Sequence, residues 1–364
     1  MKIAWEGGRR LKNLLRIMIF LSIILITFFY FDSSINENDI LEAPRKVDPL
    51  PAQEIIENPL AVERPDEGIS VYIGKPSEEW IDDYGQPSRI EPSAFGYEWW
   101  IYNQSYSNYK MVGVKDQKVV QVYTAGTATD AAPYSIGQSI EDLYRFTIIE
   151  DEVTVKYGTN IYTFSLGAED RETRLLVSFD DIYAQLYIDQ EDGMLEAVRF
   201  MNAETLIRHQ PYDMMYVGNL LVPINPSSAL QASIDKANAK QVVDLTNVYR
   251  LHHQQKPLAV NAAVSMLAER HSRNVARQDF SSEDIEVEGL EDRLKNSRII
   301  YDEAAENTAS QYYDAAEAVH GWINSEDHRD TLYSSRFNQI GVGVFGKYYT
   351  QSFLRQEPTK AEKQ

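Results

Sequence analysis

The chain has 364 residues, 43% hydrophobic and 11% aromatic, which is enough apolar surface for packed cores and excludes disorder throughout; the length favours two domains with appendages. It has no cysteine, so disulfides, thiolate metal sites and cysteine nucleophiles are excluded. A formal net charge of -20, with no basic aromatic stripe to offset it, sets a repulsive field against nucleic acid and argues against a nucleic-acid partner.

Residues 1–16 carry five basic residues and one acid, and residues 17–31, IMIFLSIILITFFYF, carry no charge. A basic flank before an apolar helix keeps the basic end in the cytoplasm and exports the chain beyond it. The next residues, DSSINENDI, lack an Ala-x-Ala-like site. Residues 1–31 therefore read as a single-pass signal-anchor in the cell membrane with the later domains extracellular, the alternative being a cleaved signal peptide and a secreted product. Residues 32–70 hold ten acids, three bases and five prolines, the composition of an extended, self-repelling linker.

Residues 71–210 contain a weak repeat. GKPSEEW from Gly74 and GQSIEDL from Gly137 each pair a turn with an acidic helix start, with Trp80 and Leu143 at the same offset. Alternating runs come after each: EWWIY, YKMVGV and KVVQVY in the first copy, NIYTFSL, AQLYID and LEAVRF in the second. Period-two alternation between turn residues predicts hairpins, and hence one α+β domain of two helix-meander repeats. Trp99, Trp100, Tyr102, Tyr106 and Tyr109 invite a carbohydrate-platform reading, against which stands ordinary cross-strand packing.

Residues 211–235, with Pro223 and Pro226, form a connector, and helices occupy much of 236–356. Val242, Leu245, Val248 and Tyr249 share one face; a second helix starts at Asn261 as N-cap, with Val264, Leu267, Ala268, His271 and Val275 inward. A short helix spans about 290–297. Asp314 and Glu317 have capping-box spacing before an inward face of Ala315, Ala318, Val319 and Trp322, and Ser325 is placed to cap the turn carrying His328. Two strands, NQIGVGVFG and YYTQSFL, close the domain before the polar tail 357–364. Gly341 and Gly343 alternate on one face, which predicts close approach of another element.

The order LTNVYRLHHQQKPLAVN, LAERHSRNVARQDFS, AENTA, GWINSEDHRDTL, FNQIGVGV and YYTQSF resembles the bacterial branch of the CAP (SCP-PR1) superfamily. The upstream repeat resembles the CAP-associated N-terminal domain of Bacillus-type Gram-positive bacteria. The resemblance implies a C-terminal α-β-α sandwich with a polar cleft. Of the two histidines and two glutamates of eukaryotic members, only Glu306 has a counterpart here; Ser282, Ser325 and Tyr348 stand at the other positions. The bacterial set is kept: His271, Glu306, Asn307, Trp322, Ser325, His328 and Arg329. Without paired imidazoles no metal is expected, and no cofactor is implied.

These residues together read as an exported, membrane-anchored protein that binds a small molecule, lipid or cell-surface component through His271, Glu306, Asn307, Ser325 and His328 in one cleft. One rival is an extracellular hydrolase with Glu306 as base and His328 or Ser325 assisting, for which no triad spacing or HExxH motif speaks. The other is a non-catalytic interaction scaffold. For His271 and Glu306 the competing assignment is purely structural, as hydrogen-bonded core polar groups.

Overall fold

The structure, a computed structural model, describes residues 18–20, 35–53, 62–280 and 287–356. Apart from residues 18–20, the expected apolar N-terminal helix lies outside them. Among the described residues no helix is long and apolar enough to cross a membrane.

Residues 35–53, expected as a free linker, are extended but docked. They form three short strands, β1 (Ile35–Glu37), β2 (Leu41–Glu42) and β3 (Leu50–Pro51). Each adds in parallel to the edge of a larger sheet. Composition marks a segment with little to bury; backbone pairing to an existing edge needs no hydrophobic periodicity and leaves no such signal.

The repeat region folds around a seven-stranded antiparallel sheet. Its strands are β4 (Arg89–Pro92), β5 (Glu98–Tyr102), β6 (Lys110–Lys115), β7 (Lys118–Thr124), β10 (Arg174–Ser178), β11 (Ile182–Asp189) and β12 (Met194–Asn202), in the order β10-β11-β12-β7-β6-β5-β4. The two copies join where β7 meets β12. NIYTFSL departs from the expected second meander: as β9 (Asn160–Ser165) it pairs with β8 (Glu152–Tyr157) and β13 (Asp213–Val217) in a separate four-stranded sheet that includes β3. The helix starts of the repeat become α1 (Ser77–Tyr84) and α2 (Ile140–Phe146), whose Trp80 and Leu143 pack on one face of the large sheet. Two short helices, α3 (Ala168–Thr173) and α4 (Ala203–His209), complete the region.

The strand aromatics are packing residues. Trp99, Tyr102 and Tyr109 are buried, and alternation sends Trp99 to one face of the sheet and Tyr102 to the other. Trp100 and Tyr106 are partly buried and pack against the two cores.

The C-terminal module is a sandwich. Its sheet runs β1-β15-β17-β16-β14, with β14 (Ala259–Val260), β15 (Glu303–Ser310), β16 (Gln339–Phe345) and β17 (Tyr348–Arg355), and β2 also pairs with β15. On one face lie α6 (Ala262–Phe280) and α7 (Leu290–Asn296); on the other lie α5 (Ser228–His252), α8 (Ala315–Ile323) and α9 (Glu326–Tyr333). Asn261 Oδ1 caps α6 by accepting from the amides of Ala263 and Val264. Asp314 Oδ1 caps α8 through the Glu317 amide at 3.0 Å, but Glu317 does not close the box; its carboxylate faces the other domain.

Gly341 and Gly343 explain how α6 sits. A Cβ at Gly343 would lie 1.8 Å from the Glu269 amide nitrogen, and one at Gly341 would lie 2.5 Å from that of Ser265. Backbone therefore meets backbone. Ser272 uses the proximity to donate to the Gly343 carbonyl at 3.0 Å.

The two domains share a core. Trp99, Met111, Tyr123 and Tyr187 of the large sheet, with Tyr109 just before β6, form one cluster with Leu245, Tyr249, Val319 and Trp322 of the sandwich. Glu317 is sunk into this junction, accepting from Arg174 at 2.5 Å, Tyr187 at 2.7 Å, Tyr313 at 2.8 Å and Gln185 at 3.1 Å. Burial alone would raise its carboxyl, but the Arg174 and Arg199 guanidiniums hold it well below the usual range.

Candidate functional site around strand β15

Strand β15 organises the five predicted residues, and period two decides how. Ala304 packs with Val264 and Leu290 of α6 and α7, whereas Ala305 and Ala309 pack in the cluster with α5 and α8. Glu306 shares the first face and Asn307 the second. Glu306 and His328, expected in one cleft, therefore lie on opposite sides of a β-sheet.

On the first face Glu306 is 3% exposed and fully engaged. Arg293 of α7 grips it bidentately, Nη1 to Oε2 at 3.0 Å and Nη2 to Oε1 at 2.5 Å, and Ser352 Oγ donates to Oε2 at 2.6 Å. His271 Nε2 of α6 stands 3.4 Å from Oε1. Burial pushes the Glu306 carboxyl up, yet Arg293 and His271 outweigh it and hold it below its usual value. The His271 imidazole is lowered by burial, with Glu306 opposing. A carboxylate held ionised by a buried arginine is a poor proton acceptor. His271 Nδ1 is buried and has no hydrogen-bond partner among the described residues.

On the second face Asn307 Nδ2 donates to the His328 carbonyl at 2.9 Å. The His328 ring is clamped at both nitrogens, with Nδ1 2.9 Å from Ser325 Oγ and Nε2 2.9 Å from the Asp39 carbonyl. A carbonyl only accepts, so Nε2 carries the proton and Nδ1 accepts from the Ser325 hydroxyl. Burial lowers this imidazole and favours that neutral form. Ser325, predicted as a helix cap, makes no side-chain cap bond; its hydroxyl is spent on His328.

The partner of His328 belongs to residues 35–43. Ile35, Asn36 and Glu37 pair with Ala304, Ala305 and Glu306, and Leu41 and Glu42 with Ala309 and Ser310. Three residues, Asn38 to Ile40, thus stand opposite two, Asn307 and Thr308, which is a bulge. There Asn38 Nδ2 reaches Asn307 Oδ1 at 2.8 Å, the Asp327 carbonyl at 2.9 Å and Thr331 Oγ1 at 3.0 Å. The Asn38 amide donates to the Glu306 carbonyl at 3.2 Å. Glu37 caps α7 by accepting from the Leu290 amide, and its own carboxyl is raised by burial and by Glu306.

Two separate regions match known family models. Residues 73–212 match the CAP-associated N-terminal model and residues 243–354 the cysteine-rich secretory protein family model. The uncharacterized membrane protein YlbC of Bacillus subtilis (strain 168) is 34% identical over 348 residues, 95% of this chain and 99% of its own length. The chain belongs to the CAP family.

An extracellular SCP-domain protein from Bacillus anthracis str. Ames superposes with a TM-score of 0.75 at 36% identity, over 83% of this chain and 100% of its own. A cysteine-rich secretory protein from Staphylococcus aureus subsp. aureus Mu50 gives a TM-score of 0.71 at 26% identity, over 85% and 100%. In this CAP module Ser282 lies outside the described residues. Tyr348 is buried, and its hydroxyl accepts from Gln311 Nε2 at 2.9 Å. Trp322 is a core residue, and Arg329 pairs with Asp189 and Glu191 across the domain junction.

Sequence reasoning missed Arg293, Ser352 and Asn38. Arg293 had a signal: it lies three residues after Leu290 and one before Leu294, so a cation falls inside an apolar stripe and needs a buried carboxylate. Asn38 had none. A further cluster, Asp189, Asp192, Glu196 and His253, brings its ligand atoms within 4.8 Å of one another at the domain junction. Arg329 already pairs with Asp189, and His252 Nδ1 lies 2.7 Å from Glu196, so the described contacts already give both carboxylates partners.

Proposed function

We propose that this CAP-family chain is an exported binding protein, held at the cell membrane by residues 1–31 with its two domains outside, whose CAP module takes a cell-surface component at the polar groups flanking β15. His271, Glu306, Asn307, Ser325 and His328 are its binding residues, Glu306 acting through the Arg293 pair. The observation that carries the reading is the separation of Glu306 and His328 by the sheet, which removes the acid-base pair a hydrolase would need at one bond. What the second face does instead is hold a polypeptide segment by an amide side chain and a carbonyl. The basic-then-apolar N-terminus supports the location, as does likeness to proteins named as membrane and extracellular.

The test is co-sedimentation of the full chain with cell-wall sacculi, beside release of soluble wall fragments. Wild type is expected to pellet with sacculi without degrading them, and Asn307→Ala with His328→Asn to lower the bound fraction several-fold. Fragment release abolished by Glu306→Gln would replace binding with hydrolysis.

A further inference from the structure

Residues 35–43, INENDILEA, occupy the site itself. Asn307 is fully buried and His328 is 5% exposed, and the strap hydrogen-bonds to both. Any ligand of these two groups must therefore meet the strap first. We infer that the strap is a ligand mimic bound in cis, and that the outer edge of β15 is a polypeptide-binding site. Its exchange partner is an extended segment of another cell-surface protein, added in parallel with an amide side chain at the bulge. The inference rests on the binding reading above and specifies its ligand class.

Four features of the molecule point to exchange instead of permanent structure. The strap buries little apolar surface: Ile35, Leu41 and Ala43 pack on the cores but are only partly buried, Ile40 is 42% exposed, and Asn36, Glu37, Asp39 and Glu42 are exposed. Recognition lies in backbone pairing, the Glu37 cap on α7 and the Asn38 amide, the division of labour of a strand added to an open edge, where the main chain supplies affinity and a few side chains supply choice. The strap lies outside both family-matched regions, so the module it covers is defined without it. It also places Glu37 opposite Glu306 in register, a like-charge neighbour that an incoming strand with a neutral acceptor such as glutamine there would relieve while keeping an acceptor for the Leu290 amide.

The bulge specifies what is read. Asn38 uses one Nδ2 group against three acceptors, Asn307 Oδ1, the Asp327 carbonyl and Thr331 Oγ1. A carboxylate at that position would set an oxygen against Asn307 Oδ1 and the Asp327 carbonyl, two groups that only accept, so an amide is favoured over an acid. His328, protonated on Nε2, then fixes the carbonyl of the next residue.

The probe is a fluorescent synthetic peptide of sequence INENDILEA, titrated by anisotropy against the full chain in detergent. Wild type is expected to bind weakly, because its own strap competes, and Asn38→Ala in the chain to tighten binding about tenfold by weakening that competitor. The tightening should vanish when the peptide carries Asp in place of its Asn38 equivalent. Because the chain has no cysteine, Asn36→Cys with Thr331→Cys offers an independent arm: Asn36 Nδ2 and Thr331 Oγ1 lie 3.4 Å apart, so the two positions face each other, and a disulfide confirmed by mass spectrometry would lock the strap. The locked chain should refuse the peptide, and reduction should restore uptake while circular dichroism stays constant.

Peptide binding that ignores the lock, or that does not distinguish Asn from Asp, overturns the inference. Light scattering separates the source: a peptide-free chain that dimerises and falls apart on adding peptide would assign the ligand to a second copy and overturn the assignment to another protein. Sacculus binding that survives the lock leaves the cell-surface reading standing and this one fallen. Peptide uptake without sacculus binding does the reverse.

Discussion

Glu306 depends on Arg293 more than on any other neighbour, since two of its short contacts come from that guanidinium. Removing one partner of a buried pair leaves an uncompensated charge, whereas replacing both by apolar groups often costs little. Arg293→Ala is expected to lower the urea unfolding free energy by about 3–5 kcal/mol, and Arg293→Met combined with Glu306→Leu by clearly less. Equal losses would mean that the pair itself, and not the stranded charge, sets stability.

The histidines give the pH dependence its sign. His320 is buried, its Nε2 lies 3.1 Å from the Ile188 carbonyl, and burial moves its imidazole from 6.5 down to about 4. The unfolded chain takes up a proton below 6.5 that the folded chain refuses until about 4, so this contribution is complete above 6.5 and is lost as pH falls through that window. For His320 alone the loss amounts to roughly 3 kcal/mol. His271 and His328, lowered by the same cause, add in the same direction. Urea midpoints should therefore drop between pH 7 and pH 5, and His320→Gln should flatten the drop.

Among the elements, the contact of α6 with β16 was the most legible in advance, because two alternating glycines have a direct steric meaning. Gly343→Ala is expected to cost more than about 3 kcal/mol or to prevent folding, its Cβ having no room beside Glu269. Gly74→Ala should cost only about 1 kcal/mol, since φ there is +88° but nothing lies within 4 Å. Thermal denaturation of the two variants checks the contrast.

The helices of the sandwich were legible for the same kind of reason: Val242, Leu245, Val248 and Tyr249 announce a buried face, and Asn261 and Asp314 a start. What stayed hidden was pairing across distance. NIYTFSL alternates like its neighbours, and nothing local says that it joins Asp213–Val217 instead of the large sheet. Which face of β15 Glu306 and Asn307 take was open to a parity argument, but their partners at 38, 293 and 328 come from three other segments. The five site residues were expected in one cleft; their division between the two faces of β15 needed the fold.

At the scale of the molecule, the shared core makes the domains interdependent. Tyr123 and Tyr249 join hydroxyls across it at 2.7 Å, and Arg89 binds Asp244 at 2.7 Å nearby. Unfolding one domain would expose the other's apolar face, so urea unfolding should be a single transition by circular dichroism and tryptophan fluorescence alike. Glu317→Ala, which leaves Arg174 with Asp170 alone among the described carboxylates and removes the acceptor of Tyr187, Tyr313 and Gln185, is expected to shift that transition by about 3 kcal/mol without splitting it. Two resolved steps would mark the domains as independent.

The strap has a mechanical meaning as well. β1 pairs in parallel with β15, so the component of a pull that runs along the strands loads their hydrogen bonds together, in shear, instead of peeling them apart in sequence. A chain tethered at that end would meet tension first at residues 35–43, ahead of either core. The β15 edge would then report pulling on the protein before any domain yields.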